Sequence, residues 1–230
     1  VLSLQGEDEP TIVGASDCIK IFQDTDDPVD VDITISGFII TFCDHGIELS
    51  DFFYDSTVAL TIDDNVITEV DCEFNDIYVH GLEVSSLTLI ITNNEITEID
   101  DGYAILVEEI ETGGSTAEIT IENNTISEDG EGDAIALIDF GGDSDLTVTS
   151  NINDNDISEG EPGFGIILRD FYTGDCEDES CDITVNSTIR GNTIEEDGPQ
   201  GAVKLQQFYA NEGDLAVTSN IDNNEISESG

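Results

Sequence analysis

The chain alternates apolar and polar residues in short runs, and the runs recur. Anchored on Asn65, Asn94, Asn124, Asn155, Asn192 and Asn224, the pattern repeats at steps of 29, 30, 31, 37 and 32 residues. An isoleucine stands three residues before each anchor (Ile62, Ile91, Ile121, Ile152, Ile189, Ile221) and another two after it (Ile67, Ile96, Ile126, Ile157, Ile194, Ile226). A further column runs Ile19, Ile47, Ile77, Ile105, Ile135, Ile166 and Val203, each followed two residues on by another aliphatic side chain. Beyond it, Phe52, Phe140, Phe171 and Phe208 recur at one offset, with Leu82 and Ile110 between them. Alternation of period two predicts β-strands. A unit of about 30 residues with two or three short strands is too small to bury its own apolar face, so the units must stack. Stacking at ~4.8 Å lines identical side chains into interior ladders. Asparagine is expected at the corner, because it tolerates left-handed backbone and its amide can bond to the one above and below.

The segments "ITIENNTIS…GDAIAL" (119–137) and "ITISGFIIT…HGIEL" (33–49) resemble the repeat of the right-handed parallel β-helix family, the pectate-lyase-like fold. The resemblance extends over nearly the whole chain. It implies an all-β, right-handed parallel β-helix of about seven coils, a rod about 35 Å long. Residues 1–230 then form one domain, with 1–31 a partial first coil and 171–182 a loop excursion that accounts for the 37-residue step. Neither end carries a recognisable capping helix, which leaves strand edges to be covered by neighbouring subunits or by the rest of a longer array.

Composition changes the picture in one respect. The 54 acidic residues face only 4 Lys and Arg, for a formal charge of −50, yet 38% of the chain is hydrophobic. An acidic disordered segment would lack that core material. The scattered cations leave no nucleic-acid footprint, and no apolar run reaches the ~20 residues of a bilayer span. The lack of any Met fits a processed form or a fragment, and a removed signal peptide would place the chain outside the cell or on its surface. Of the five cysteines, Cys176 and Cys181 are expected to form a local disulfide. Cys43 and Cys72, in successive repeats, are a second candidate pair, leaving Cys18 over.

The family resemblance implies a search for glycan-cleaving apparatus. Acidic residues are too abundant to be informative, so the scarce cations define the one candidate: Asp139, Arg169, Asp170 and Lys204. The alternative is that these two cations merely relieve acidic repulsion. His45 and His80 lie in different repeats and belong to no metal-ligand pattern. Calcium favours dense oxygen donors, which are offered by Asp24, Asp26, Asp27, Asp30 and Asp32 and by Asp175, Glu177 and Asp178. A glutamate also ends each motif: Glu69, Glu98, Glu128, Glu159, Glu196 and Glu228. Stacked at ~4.8 Å, neighbouring carboxylates repel by ~0.9 kcal/mol even in water. Such a ladder needs relief from screening salt, bound cations, raised pKa values or outward splaying; the strand is expected to end or turn outward at the glutamate, with cations or concentrated salt around the rod, as in a halophilic or calcium-rich setting.

One outward column is apolar: Tyr78, Leu106, Ala136 and Ile167. Either a loop of the same chain covers it or another subunit does. The expected function is an extracellular structural protein. It would self-associate into a filament or surface layer through its open ends, at Ile221 and Ile226, or through this strip. The alternative is a Ca²⁺-dependent protein that binds or cleaves polysaccharide.

Overall fold

The computed structural model describes all residues except 1, 6–9, 15–16, 25–26, 69–74, 100, 143–144, 161, 174–180, 198, 211–212 and 229–230. Its described residues form twenty strands and no helix, so none is long and apolar enough to cross a membrane. Every strand pairing is parallel, and every partner comes from the next or previous turn. The chain is a parallel β-solenoid of about six turns and about 30 residues per turn, slightly shorter than the expected seven. The strands Asp30–Ser36 and Ile39–Thr41 meet at a corner made by Gly37 and Phe38, where later turns carry the Asn motif.

Each turn runs along a folded twelve-stranded sheet and then crosses to an eight-stranded sheet of short strands. The long strands Ile47–Asp63, Ile77–Thr92 and Ile105–Glu122 stay continuous across the fold of the first sheet. In later turns they divide in two, as in Ile135–Gly141 and Leu146–Asn153. The fold line is set by one left-handed residue per turn: Asp51, Gly81, Glu109, Asp139, Asp170 and Gln207, all with φ between 52° and 60°. Non-glycine residues in that region carry a cost of about 1–2 kcal/mol each. The stacked hydrogen bonds on either side hold them there.

The second corner divides its duties between two residues. The left-handed position belongs to the residue before each anchor, Asp64, Asn93, Asn123, Asp154, Gly191 and Asn223, and not to the anchor asparagine itself. The anchor turns inward. Asn65, Asn94, Asn124, Asn155 and Asn192 each donate from Nδ2 to the Oδ1 of the next anchor at 2.9–3.0 Å. Each also donates to the backbone carbonyl of an isoleucine in the preceding turn.

The core is the predicted set of ladders in the predicted register. Ile62, Ile91, Ile121, Ile152 and Ile189 are neighbours in one column, and all five are fully buried. Phe140, Phe171 and Phe208 stack nearly parallel, with ring centres 5.0 Å apart.

Two expectations are corrected. Cys43 pairs with Cys18, not with Cys72. Cys18 lies beside the 43–46 turn, its N–H bonded to the His45 carbonyl, which brings the two Cα atoms to 5.6 Å. Cys72 lies outside the described residues. Cys181 is also disulfide-bonded, while its expected partner Cys176 lies outside the described residues. The second correction concerns the glutamates. Glu98, Glu128, Glu159 and Glu196 are buried, with 0–2% of their surface exposed, and do not turn outward. Glu228, in the last turn, is exposed, and Glu69 is outside the described residues.

Candidate functional site

Strand parity places most of the scarce cations on one face. Lys20, Arg169 and Lys204 alternate with inward residues, so three of the four basic side chains lie on the outer face of the first sheet, with His80 among them. Stacking brings residues 28–32 apart in sequence into contact. Lys20 Nζ donates to both oxygens of Glu48 at 2.8 Å, and His80 Nε2 lies 3.0 Å from Glu48 Oε1. Burial pushes the Glu48 carboxyl up, but the hydrogen bonds from Lys20 and His80 outweigh it and hold the group at about 2. The Tyr78 ring stacks on His80 with centres 4.0 Å apart, and its hydroxyl donates to Glu108 Oε1 at 2.5 Å. Burial, reinforced by Glu108, raises the Tyr78 hydroxyl far above its ordinary value. The network is internally satisfied and keeps an acidic chain from repelling itself along this face.

Farther along the same face, the outward apolar strip is covered by the chain itself. Leu106, Ala136, Ile138 and Ile167 form a buried cluster with Phe164, against which Tyr78 and Tyr103 pack. The covering aromatics are pinned from the preceding turn: Tyr103 N–H donates to Asn75 Oδ1 at 2.9 Å, and Phe164 N–H to Asp133 Oδ1 at 2.7 Å. Lys204 Nζ lies 4.3 Å from the centre of the Phe164 ring, closing the flap by a cation–π contact. Burial raises the Asp133 carboxyl, partly offset by the Phe164 N–H and by Arg169 and Lys204. The expected lateral assembly surface is therefore taken by Phe164 and Tyr103.

Of the candidate catalytic quartet, Asp139 and Asp170 stand on adjacent rungs of the sheet's fold line. Arg169 Nε lies 3.8 Å from Asp170 Oδ2 and Lys204 caps Phe164. Asp139 also lines a groove. That groove, about 290 Å³, is lined by Gly81, Glu83, Glu109, Glu111, Asp139 and Tyr172. The Tyr172 ring reaches it by lying over Gly141, where a Cβ would come within 2.7 Å of the ring. Burial, with Asp139 beside it, pushes the Tyr172 hydroxyl up to about 12. The next turn stacks Tyr209 on Tyr172 at 5.7 Å, and Tyr209 is half exposed.

Of the expected calcium ligands, Asp24, Asp27, Asp30 and Asp32 are exposed. No group of three or more metal-ligating side chains converges among the described residues. Asp26, Asp175, Glu177 and Asp178 lie outside them. At the last turn, Val217, Ile221 and Ile226 are 42–53% exposed, whereas the same columns one turn earlier, at Val185, Ile189 and Ile194, are fully buried. No protein-family model, curated protein or solved structure matches this chain.

Proposed function

We propose that the chain is an extracellular or cell-surface structural protein, a solenoid rod that stacks head to tail on further copies of itself into a filament or layer. The observation that supports this reading is the unbroken stacking of equivalent columns from turn to turn, a pattern that a further copy in the same register extends. The first turn offers the matching columns: the column that ends at Ile226 begins at Ile12, and that ending at Val203 begins at Ile19. A head-to-tail contact of this kind repeats without closing. The disulfides support an oxidising compartment. At a formal charge of −50, association also needs screening by concentrated salt or by calcium, as a halophilic or calcium-rich setting would supply.

Negative-stain microscopy with and without calcium or high salt tests this. Wild-type protein is expected to form rods several subunits long, and Ile221→Glu or Ile226→Glu to shorten them to single subunits without loss of fold. A monodisperse monomer under every condition would sink the proposal.

The stacked Tyr172 and Tyr209 beside the 290 Å³ groove favour a second reading, polysaccharide binding. Aromatic faces pack against sugar rings and the carboxylates accept hydroxyl hydrogen bonds. An acidic glycan would need Ca²⁺ to bridge it to Glu83, Glu109, Glu111 and Asp139. Affinity electrophoresis in neutral and acidic glycans is expected to retard the wild type about twofold or more relative to Tyr172→Ala, with calcium required only for the acidic ones. Equal mobility of the two proteins in every gel would end this reading.

A further inference from the structure

The buried glutamates take no part in stacking or glycan contact, and their arrangement is unusual. Glu98, Glu128, Glu159 and Glu196 end successive short strands, Glu95–Glu98, Thr125–Glu128, Asp156–Glu159 and Thr193–Glu196, and are direct partners in register. Each Cα is thus about 4.8 Å from the next. One oxygen of each of the first three accepts a backbone N–H that closes its own turn: Ile99 to Glu98 at 3.0 Å, Gly130 to Glu128 at 2.8 Å and Gly163 to Glu159 at 3.3 Å.

The carboxyl groups of Glu128 and Glu159 approach one another. Glu128 Oε2 and Glu196 Oε1 are shielded from solvent and receive no hydrogen bond from a protein donor, while the Glu128 and Glu159 carboxyl groups are within hydrogen-bonding reach. Two carboxylates offer only acceptors, so that contact becomes a bond only when a proton sits between them. The charges acting on Glu128 are Glu159 above and Glu98 below, with Glu196 one turn beyond. On the same corner, Asp129 lies against Gly160 and Asp133 is drawn to Arg169 and Lys204 instead. Glu95, Asp156 and Glu195 of these strands point to solvent. Across the core the inward residues, such as Ile135 and Leu137, are apolar.

We propose that the Glu128–Glu159 pair of this column is a proton-holding lock, in which the two stacked carboxyl groups share a proton across turns at neutral pH and its release in alkali opens the corner they close. A lone buried carboxylate in this position would cost far more than a neutral acid, which makes the protonated pair the stable form of the corner. Burial, with Glu159 and Glu98 adding to it against the pull of the Gly130 N–H, pushes Glu128 from 4.5 up to about 9.

Between those two values the folded chain holds a proton that the unfolded chain gives up. The contribution to stability is complete below the lower value and is lost as pH rises through the upper one.

Unfolding with urea at pH 7 in weak buffer, followed with a pH indicator, is expected to release about one proton per chain or more. Glu128→Gln, which keeps the shape, is expected to release fewer and to flatten the fall in melting temperature between about pH 6 and about pH 9, the range in which Glu128 gives up its proton. Infrared spectroscopy of the folded wild type gives an independent readout that survives any failure of the variant to fold. A protonated-carboxyl band should be present at pH 7 and fade near pH 9, about where Glu128 titrates. Absence of that band at pH 7, absence of proton release, or an unchanged pH slope in Glu128→Gln would overturn the proposal.

Discussion

Asn124→Ala is expected to destabilise the solenoid by about 3–6 kcal/mol, a large share of the ~5–15 kcal/mol that holds a typical domain together. The reasoning is local. Asn124 is 1% exposed, and its Oδ1 accepts from both the N–H and the Nδ2 of Asn94, at 2.9 and 3.0 Å. Its Nδ2 donates to the Ile91 carbonyl at 2.9 Å and to Asn155 Oδ1 at 3.0 Å. Alanine removes every one of these at once, leaves the buried Asn94 N–H without its acceptor, and strips a donor from the Ile91 carbonyl and from Asn155 Oδ1. Each such orphan costs about 1–3 kcal/mol. Asn124→Asp separates the two halves of the role: it keeps the acceptor for Asn94 and loses both donors, setting an acid against the Ile91 carbonyl. It is expected to be nearly as damaging, and more so at pH 8 than at pH 4, across the ordinary range of an Asp carboxyl (about 4). Urea denaturation at fixed high salt measures both. Because turns contact only their neighbours, the loss can also split one transition into two. A change below about 1 kcal/mol for Asn124→Ala would show that the ladder is not what fixes the corner.

The fold was legible because each turn repeats the same solution. Ile62 and Ile121 are inward in the sequence pattern and inward in the structure, since a one-residue slip would expose a whole column. The corner was half legible. The Asn anchors were correctly singled out, but the left-handed residue is the one before, and Asp64 and Asp154 serve there as well as asparagine does. The glutamates were misjudged for a physical reason. Parity alone puts Glu98 on the inward side, two residues after Ile96. A bare charge there is costly, which favours an outward turn. Stacked acids that cap turn amides and can hold protons remove that objection.

The outer-face network was hidden for another reason. Lys20, Glu48 and His80 are each unremarkable in sequence. Their contact arises only from the 28–32-residue offset between stacked turns. Reading the outward columns across turns, rather than searching for local motifs, would have found it. The same reading places Arg169 beside the apolar strip, in register with Ile138. The aromatic flap carried a weak signal: Tyr103 and Phe164 each stand just before a small residue at the start of a first-sheet strand.

Phe171→Ala is the second large effect, expected at about 3–5 kcal/mol. Phe171 is fully buried between Phe140 and Phe208, with ring centres 5.0 Å away on both sides and planes within 8° and 14° of parallel. A β-solenoid is poorly able to close the space left by a missing ring. The turns are held apart at ~4.8 Å by continuous backbone hydrogen bonds, so the neighbouring rings cannot collapse inward without breaking them. The cavity term therefore adds nearly in full to the lost transfer energy, and two stacking contacts go with it. Phe171→Leu tests the argument from the other side. The same column is filled by Leu82 and Ile110 in earlier turns, so leucine fits the backbone there and is expected to cost less than half as much as alanine, about 1–1.5 kcal/mol. Equal losses for leucine and alanine, by thermal or urea denaturation, would mean that the aromatic stack rather than the filled volume stabilises this end of the rod.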